Sequence, residues 1–177
     1  TQSAIIYDIK KELWAATSGF RRKFSNCLRF EPTASDSVRF NPLLEIRKGL
    51  NEVKDVQNIA EVLVDPDGDS DSSDHWKMTA SSLLVGSILH VLYAEPDKSL
   101  TGVANFLADP NRTTHETLAH MMSYPHTESG PHPVIASAAR EMANKSENEL
   151  SGVISTAMSF LSLYRDPVIA KNTATSD

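Results

Sequence analysis

Histidines and aspartates are weighed first, because imidazole and carboxylate supply most protein metal sites and most general acids and bases. Asp65, Asp67, Asp69 and Asp71 alternate as the opening of a calcium loop does. The sixth position of such a loop needs Gly for its sharp turn and the twelfth a bidentate Glu, but here they are Ser70 and Trp76. The stretch is therefore read as a solvated acidic loop, with Ser73 or Asp74 capping a helix that carries Trp76. His115 and His120 stand five residues apart, about 140° around a helix, so they do not share a face. His126 and His132 fall in a stretch containing Pro and Gly, where a solvated or hydrogen-bonding role is expected. No metal ligand set and no catalytic residue is assigned.

Asp8 ends the run Ile5-Ile6-Tyr7. A carboxylate at the C-terminal end of a parallel strand sits where open α/β sheets bind ligands, and it serves equally as a cap for the helix that follows. Arg21, Arg22 and Lys23 lie between Phe20 and Phe24. Cations beside aromatic faces can hold single-stranded nucleic acid, and a basic helix end also complements the helix dipole. The sequence has neither a Gly-x-Ser-x-Gly elbow nor a Gly-x-x-x-x-Gly-Lys-Ser/Thr phosphate loop, so nucleophilic catalysis and ATP hydrolysis have no support within it. Cys27 is the single cysteine. It forms no internal disulfide, fits a reducing cytoplasmic setting, and is read as a small buried apolar residue.

These groups must be positioned by two kinds of element. Ala4 to Ile9 and Cys27 to Phe30 read as short strands, joined by a helix carrying Leu13, Ala16 and Phe20. A parallel pair needs neighbours on both faces, so this β-α-β unit is expected to be a fragment of a larger α/β domain. After Pro32, Pro42 and Gly49 the pattern turns helical and stays so to about Tyr164. Val53, Val56, Ile59, Ala60 and Leu63 mark one helix; Ala80, Leu83, Leu84, Ile88, Val91 and Leu92 mark the central one. Ser99 caps the next, Thr113 with Glu116 and Ser146 with Glu149 are capping boxes, Pro133 suits a first turn, and Pro167 ends the last long helix.

The net charge of −6 is divided unevenly: residues 1–50 carry +4 and residues 51–177 carry −10. An acidic body disfavours nonspecific binding to a phosphate backbone. The longest strongly apolar run, Leu83 to Ala94, is shorter than the roughly 20 residues needed to cross a bilayer, so no span and no membrane contact is expected. The N-terminus, where Ile5, Ile6 and Tyr7 lead into Asp8, Lys10, Lys11 and Glu12, lacks the pattern of a signal peptide and reads as the interior of a longer protein.

The run from Tyr7 to Trp14, then Thr17 to Arg21, Leu28 to Thr33 and Phe40-Asn41-Pro42-Leu43, resembles the TraG-like coupling proteins of conjugation and type IV secretion. Asp74-His75-Trp76, Leu89-His90, Ser151 to Ala157, Asp166 to Ala170 and Thr175-Ser176-Asp177 extend the resemblance over almost the whole chain. One position departs: the family reads Asp-x-Lys-Gly-Glu, and Lys11 stands here in place of the Gly. The resemblance implies a mostly α chain, an all-alpha domain inserted in a RecA-like α/β motor domain. Residues 1–48 would be the β-α-β remnant of the motor, 49–165 the all-alpha domain, and 166–177 the return segment. It further implies an ATP- and Mg²⁺-dependent hexameric DNA translocase anchored at the cytoplasmic face of the bacterial inner membrane by a segment outside this chain, with the phosphate loop and Walker B acid also outside. Asp8, Lys10 and Glu12 would lie near its nucleotide site. The helical domain would recruit relaxase complexes on transferred DNA, or effector proteins. Two other readings stand beside it: direct single-stranded-DNA binding through Arg21, Arg22 and Lys23, and an unrelated helical metal-dependent protein.

Overall fold

The computed structural model describes residues 3–66, 68 and 75–177. Eight α-helices follow in order among these residues: α1 (Glu12–Arg21), α2 (Glu52–Val64), α3 (His75–Ala94), α4 (Leu100–Leu107), α5 (Thr114–Ser123), α6 (Pro133–Ala143), α7 (Glu147–Phe160) and α8 (Pro167–Thr173). Short 3₁₀ turns lie at Pro42–Glu45 and Ser162–Arg165, and one isolated antiparallel bridge joins Thr127 and Gly130.

Apolar spacing and local caps account for most of these boundaries. Ser99 accepts from the Gly102 amide to start α4, and Thr113 and Glu116 make both arms of a capping box on α5. Pro133 occupies the first turn of α6. The expected second box is half made: Ser146 accepts from the Glu149 amide, but the Glu149 carboxylate turns instead to Lys145 at 2.6 Å and His75 at 3.5 Å. A charged partner offers it a stronger hydrogen bond than a neutral amide does. Pro167 lies at the start of α8, whose first amides are capped by Asp166 Oδ1 at 2.9 and 3.1 Å.

Helix α3 is the centre. It packs against α2, α4, α6 and α7, while α5 packs on α6. Its length of 20 residues, beyond the apolar run read from the sequence, would suffice for a bilayer, but 67% of its apolar window is buried inside the bundle. Leu83, Leu84, Ile88, Leu89 and Val91 are fully enclosed; each such side chain contributes about 1.5–3 kcal/mol of burial. Close approach matters at Gly86, where an added Cβ would stand 2.7 Å from Ala138 Cβ of α6.

The buried apolar cluster runs from Leu43 to Leu161. Before Leu43 the described residues have another character: Ile5, Tyr7, Ile9, Phe20 and Leu28 are each more than half exposed. The two predicted strands do not form. Residues 4–9 and 27–30 carry no strand, because a strand is held by a laddered neighbour and the described residues supply none. Only the connecting helix, α1, forms. Cys27, expected in a core, is half-buried beside Ser25.

The segment after α1 is tied to the chain's end. Asn172 Nδ2 donates to the carbonyls of Pro32 and Ala34 at 2.9 and 2.8 Å. Asn41 donates to Lys98 O and Ala174 O, and the Arg39 guanidinium meets Asp177 with Nε at 2.8 Å.

Lys11, the residue in place of the family's Gly, has φ 62° and ψ 9°. This is the left-handed region, which costs an L-residue about 1–2 kcal/mol and a Gly almost nothing. Its ammonium pairs with Glu31 on the surface, a contact worth at most about 1 kcal/mol. Lys11→Gly should therefore hold α1 more firmly than Lys11→Ala. Amide exchange across Trp14 to Phe20 should be about fivefold slower in the Gly variant, the equivalent of about 1 kcal/mol; equal rates would show that the backbone there relaxes.

Candidate functional site

Two constellations carry chemistry-bearing side chains. The first is the exposed N-terminal edge. Asp8 Oδ2 accepts from the Trp14 amide at 2.8 Å, in the first turn of α1, so this carboxylate acts as a helix cap. Lys10 is exposed, and Glu12 is the exposed first residue of α1. At the other end of α1, Arg21, Arg22 and Lys23 gather with aromatic rings: Arg21 lies 5.8 Å from the Phe24 centroid, Arg22 5.2 Å from Trp14 and Lys23 5.9 Å from Phe20. Phe20 and Phe24 meet edge to face at 5.3 Å and are 65% and 50% exposed. Cations and open ring faces thus share one surface.

The second constellation is internal and joins α2, α3, α5 and the loop from α5 to α6. His132 Nδ1 accepts from the Val134 amide and caps α6. That contact leaves the proton on Nε2, which reaches Glu52 Oε1 at 3.2 Å. Glu52 Oε2 accepts from the Tyr93 hydroxyl at 2.7 Å and from the Gly49 amide at 3.0 Å. Burial alone would raise the Glu52 carboxyl, but the Gly49 amide, the Tyr93 hydroxyl and His132 together hold it below its ordinary range. Burial, reinforced by the bond to Glu52, raises the Tyr93 hydroxyl to about 12.

A run of imidazoles continues inward. The His132 amide donates to His126 Nδ1 at 3.2 Å, so the proton of neutral His126 sits on Nε2 and points at His90 Nδ1, 2.8 Å away. His90 Nε2 must then carry a hydrogen. It has no hydrogen-bond partner; Glu95 Oε1 stands 3.7 Å off. The His90 ring is fully enclosed, with Phe106 stacked at 4.5 Å and His120 edge-on at 5.1 Å. Burial pushes His90 down to about 3, helped by His126, His120 and Arg112; burial again, with His132 and His120, lowers His126 to about 4.

Of the two roles expected for His126 and His132, the structure shows the hydrogen-bonding one: both are buried, at 7% and 9% exposure, because the α5–α6 loop folds over Glu52 and Tyr93 and places its polar groups there. His115 and His120 do diverge as their spacing required: His115 faces Glu147 at 3.3 Å on the surface, and His120 turns toward His90. Sequence reasoning passed over His90 and Glu52; the available signal was an imidazole inside the apolar run Leu83 to Ala94. Of the acidic stretch, Asp67, Asp69, Ser70, Asp71, Ser73 and Asp74 lie outside the described residues.

Comparison with known proteins follows the same lines. The family model for type IV secretory system conjugative DNA transfer matches residues 1–177. Two curated relatives, both conjugal transfer protein TraG of Escherichia coli, are 48% and 49% identical over 183 residues. The match covers 99% of this chain and 29% of each relative, so the chain spans under a third of their length. No solved structure matches. Identity at this level over the whole chain sets aside the reading as an unrelated metal-dependent protein.

Proposed function

Since the chain belongs to the conjugative DNA transfer family of the type IV secretory system, we propose that it acts in conjugative DNA transfer, as the substrate-recognition part of a coupling protein. Residues 49–165 form the recognition domain, residues 1–48 a remnant of a RecA-like motor, and residues 166–177 the return to that motor. The domain recruits relaxase complexes on transferred DNA, or effector proteins, to a channel at the cytoplasmic face of the inner membrane, where the parent is anchored by a segment outside this chain.

One observation carries the reading. The helical body has its own closed core from Leu43 to Leu161 and bears exposed carboxylates at Glu61, Glu128, Glu141 and Glu147, within a segment of net charge −10. Such a surface favours a basic protein face and repels nucleic-acid phosphates. The residues before Leu43 expose apolar side chains and lie outside that core, as expected of a piece whose sheet lies elsewhere. Their tie to residues 172–177 suits a chain that leaves the motor and returns beside its point of departure.

ATP and Mg²⁺ are assigned to the parent hexamer. The residues here do not fit them alone: the sequence holds no phosphate loop, and Asp8 is engaged by the Trp14 amide. Asp8, Lys10 and Glu12 are placed beside the nucleotide site only when the motor is complete.

A second reading rests on the basic and aromatic surface at Arg21, Arg22 and Lys23, which suits single-stranded DNA. Fluorescence anisotropy of a labelled single-stranded oligonucleotide, and co-purification with the cognate relaxase, separate the two. The recognition reading expects relaxase capture that fails when Glu61, Glu128, Glu141 and Glu147 are changed to Lys, with oligonucleotide binding gone at physiological salt. Oligonucleotide binding that survives physiological salt and is lost on changing Arg21, Arg22 and Lys23 to Gln would instead put DNA contact first. Relaxase capture unchanged by the four Lys substitutions would overturn these carboxylates as the docking contacts.

A further inference from the structure

At the inner end of the imidazole run, His90, Glu95 and His120 bring one ligand atom each within 4.8 Å of one another. We propose that these three side chains bind a divalent transition-metal ion of the zinc type, with His90 Nε2, a nitrogen of His120 and a Glu95 oxygen as ligands and a fourth position open to water.

The strongest sign is the orphaned nitrogen. His90 Nε2 is buried without a hydrogen-bond partner and lies 3.7 Å from Glu95 Oε1; leaving such a group unsatisfied is costly. Two imidazoles with one carboxylate are a zinc donor set, and three protein ligands leave the open position of a labile or reactive site. A tetrahedral ion with bonds of about 2.0–2.1 Å sets its ligand atoms roughly 3.4 Å apart, so the three must close by roughly 1 Å. Glu95, which follows the last residue of α3, and His120 are both partly exposed, leaving them room to move and the ion a path inward. The Phe106 and Tyr124 rings, 4.5 and 5.7 Å from the His90 ring, keep that end enclosed. Arg112 is a neighbouring cation that opposes the charge, and Asp109 holds it at 2.9 Å.

Protons in the run make the proposal specific. Without metal, Nε2 of both His126 and His90 carries a hydrogen. An ion on His90 Nε2 displaces that hydrogen as a proton to solvent; His90 Nδ1 takes the His126 Nε2 hydrogen across their 2.8 Å hydrogen bond and donates it back, and His126 regains one proton from solvent on Nδ1. The bond donated from His90 Nδ1 is the hydrogen bond to a second partner that orients most metal-bound imidazoles. His126, with its hydrogen on Nδ1, gives up the 3.2 Å contact with the His132 amide. The ion must therefore bind tightly enough to offset one neutral hydrogen bond.

The test titrates purified, chelator-stripped protein with Zn²⁺ against a chromophoric competitor, and with Co²⁺ followed by its visible absorption. The expected result is one ion per chain, tetrahedral Co²⁺ bands, and at least tenfold weaker binding in both His120→Ala and Glu95→Gln. These two positions are partly exposed, so the variants should fold; His115→Ala should leave binding unchanged. Nitrogen-15 NMR of the histidines should show His126 passing from the Nε2–H to the Nδ1–H tautomer as Zn²⁺ is added. No stoichiometric ion, affinity unchanged in either ligand variant, or His126 keeping its hydrogen on Nε2 with metal bound would each overturn the site.

Discussion

Gly102→Ala should destabilise the protein by about 2–3 kcal/mol, although alanine is the better helix former by about 0.5–1 kcal/mol. Gly102 is the third residue of α4, and a Cβ there would stand 1.9 Å from the carbonyl oxygen of Asp97 and 2.9 Å from its carbonyl carbon. Both are backbone atoms, so no rotamer change relieves the overlap. The strand of contacts that would have to shift is also the one that starts the helix: Ser99 Oγ donates to Asp97 Oδ1 at 2.7 Å and accepts from the Gly102 amide at 3.1 Å. Moving Asp97 away strains that cap, itself worth about 1 kcal/mol. Helix α4 brings Leu100, Val103, Ala104 and Phe106 into the core, so its displacement is felt beyond its own turn. Gly19→Ala is the internal control. Gly19 lies inside α1 with nothing within 4 Å of an added Cβ, and there alanine should slow local amide exchange. Urea denaturation followed by circular dichroism should show a lower midpoint for Gly102→Ala and an unchanged slope. An unchanged midpoint would mean that the start of α4 yields at little cost.

Elements governed by contacts a few residues apart were the most legible in the sequence. Thr113 with Glu116, Ser99 before α4, and Pro133 at the start of α6 each act within one turn, so their spacing alone foretold the caps that form. Legibility failed wherever a partner came from far along the chain. Glu149 satisfied the capping-box spacing, but Lys145 and His75 compete for its carboxylate, and His75 lies on another helix. His126 and His132 sit among loop-forming residues, and nothing local reveals that Glu52, 80 positions from His132, waits for them. His90 was visible as an interruption of an apolar run; what it meets, His126 across the bundle and Glu95 beyond the helix end, depends on how α5 and its following loop are laid down. The runs at 4–9 and 27–30 have strand composition, yet composition without a neighbouring strand leaves them without a ladder. The same reasoning explains Lys11: its place in the resemblance marked a position for Gly, and its φ of 62° gives the physical reason.

Acid should unfold this protein through the imidazole run. His90 is held at about 3 and His126 at about 4, whereas in an unfolded chain each titrates near about 6.5. Between those values the unfolded state binds protons that the folded state excludes, so stability is full above about pH 6.5 and declines as pH falls toward 4. The slope is about 1.4 kcal/mol per pH unit for each imidazole, and at pH 5 the two together should remove about 4 kcal/mol, a large share of a typical folding free energy of about 5–15 kcal/mol. Glu52 works in the same direction: its carboxyl lies below its ordinary range, and its contribution is lost as acid protonates it. The measurement is urea denaturation at a series of pH values from 7.5 to 4.5, in chelating buffer so that no bound metal competes with protons. His126→Gln should flatten the profile by about half while lowering stability at neutral pH, because an amide can fill one of the two hydrogen bonds but does not titrate. A protein as stable at pH 5 as at pH 7 would require the folded state to accept protons on His90 or His126. The neutral, directional run of hydrogen bonds from the His132 amide to His90 would then be wrong.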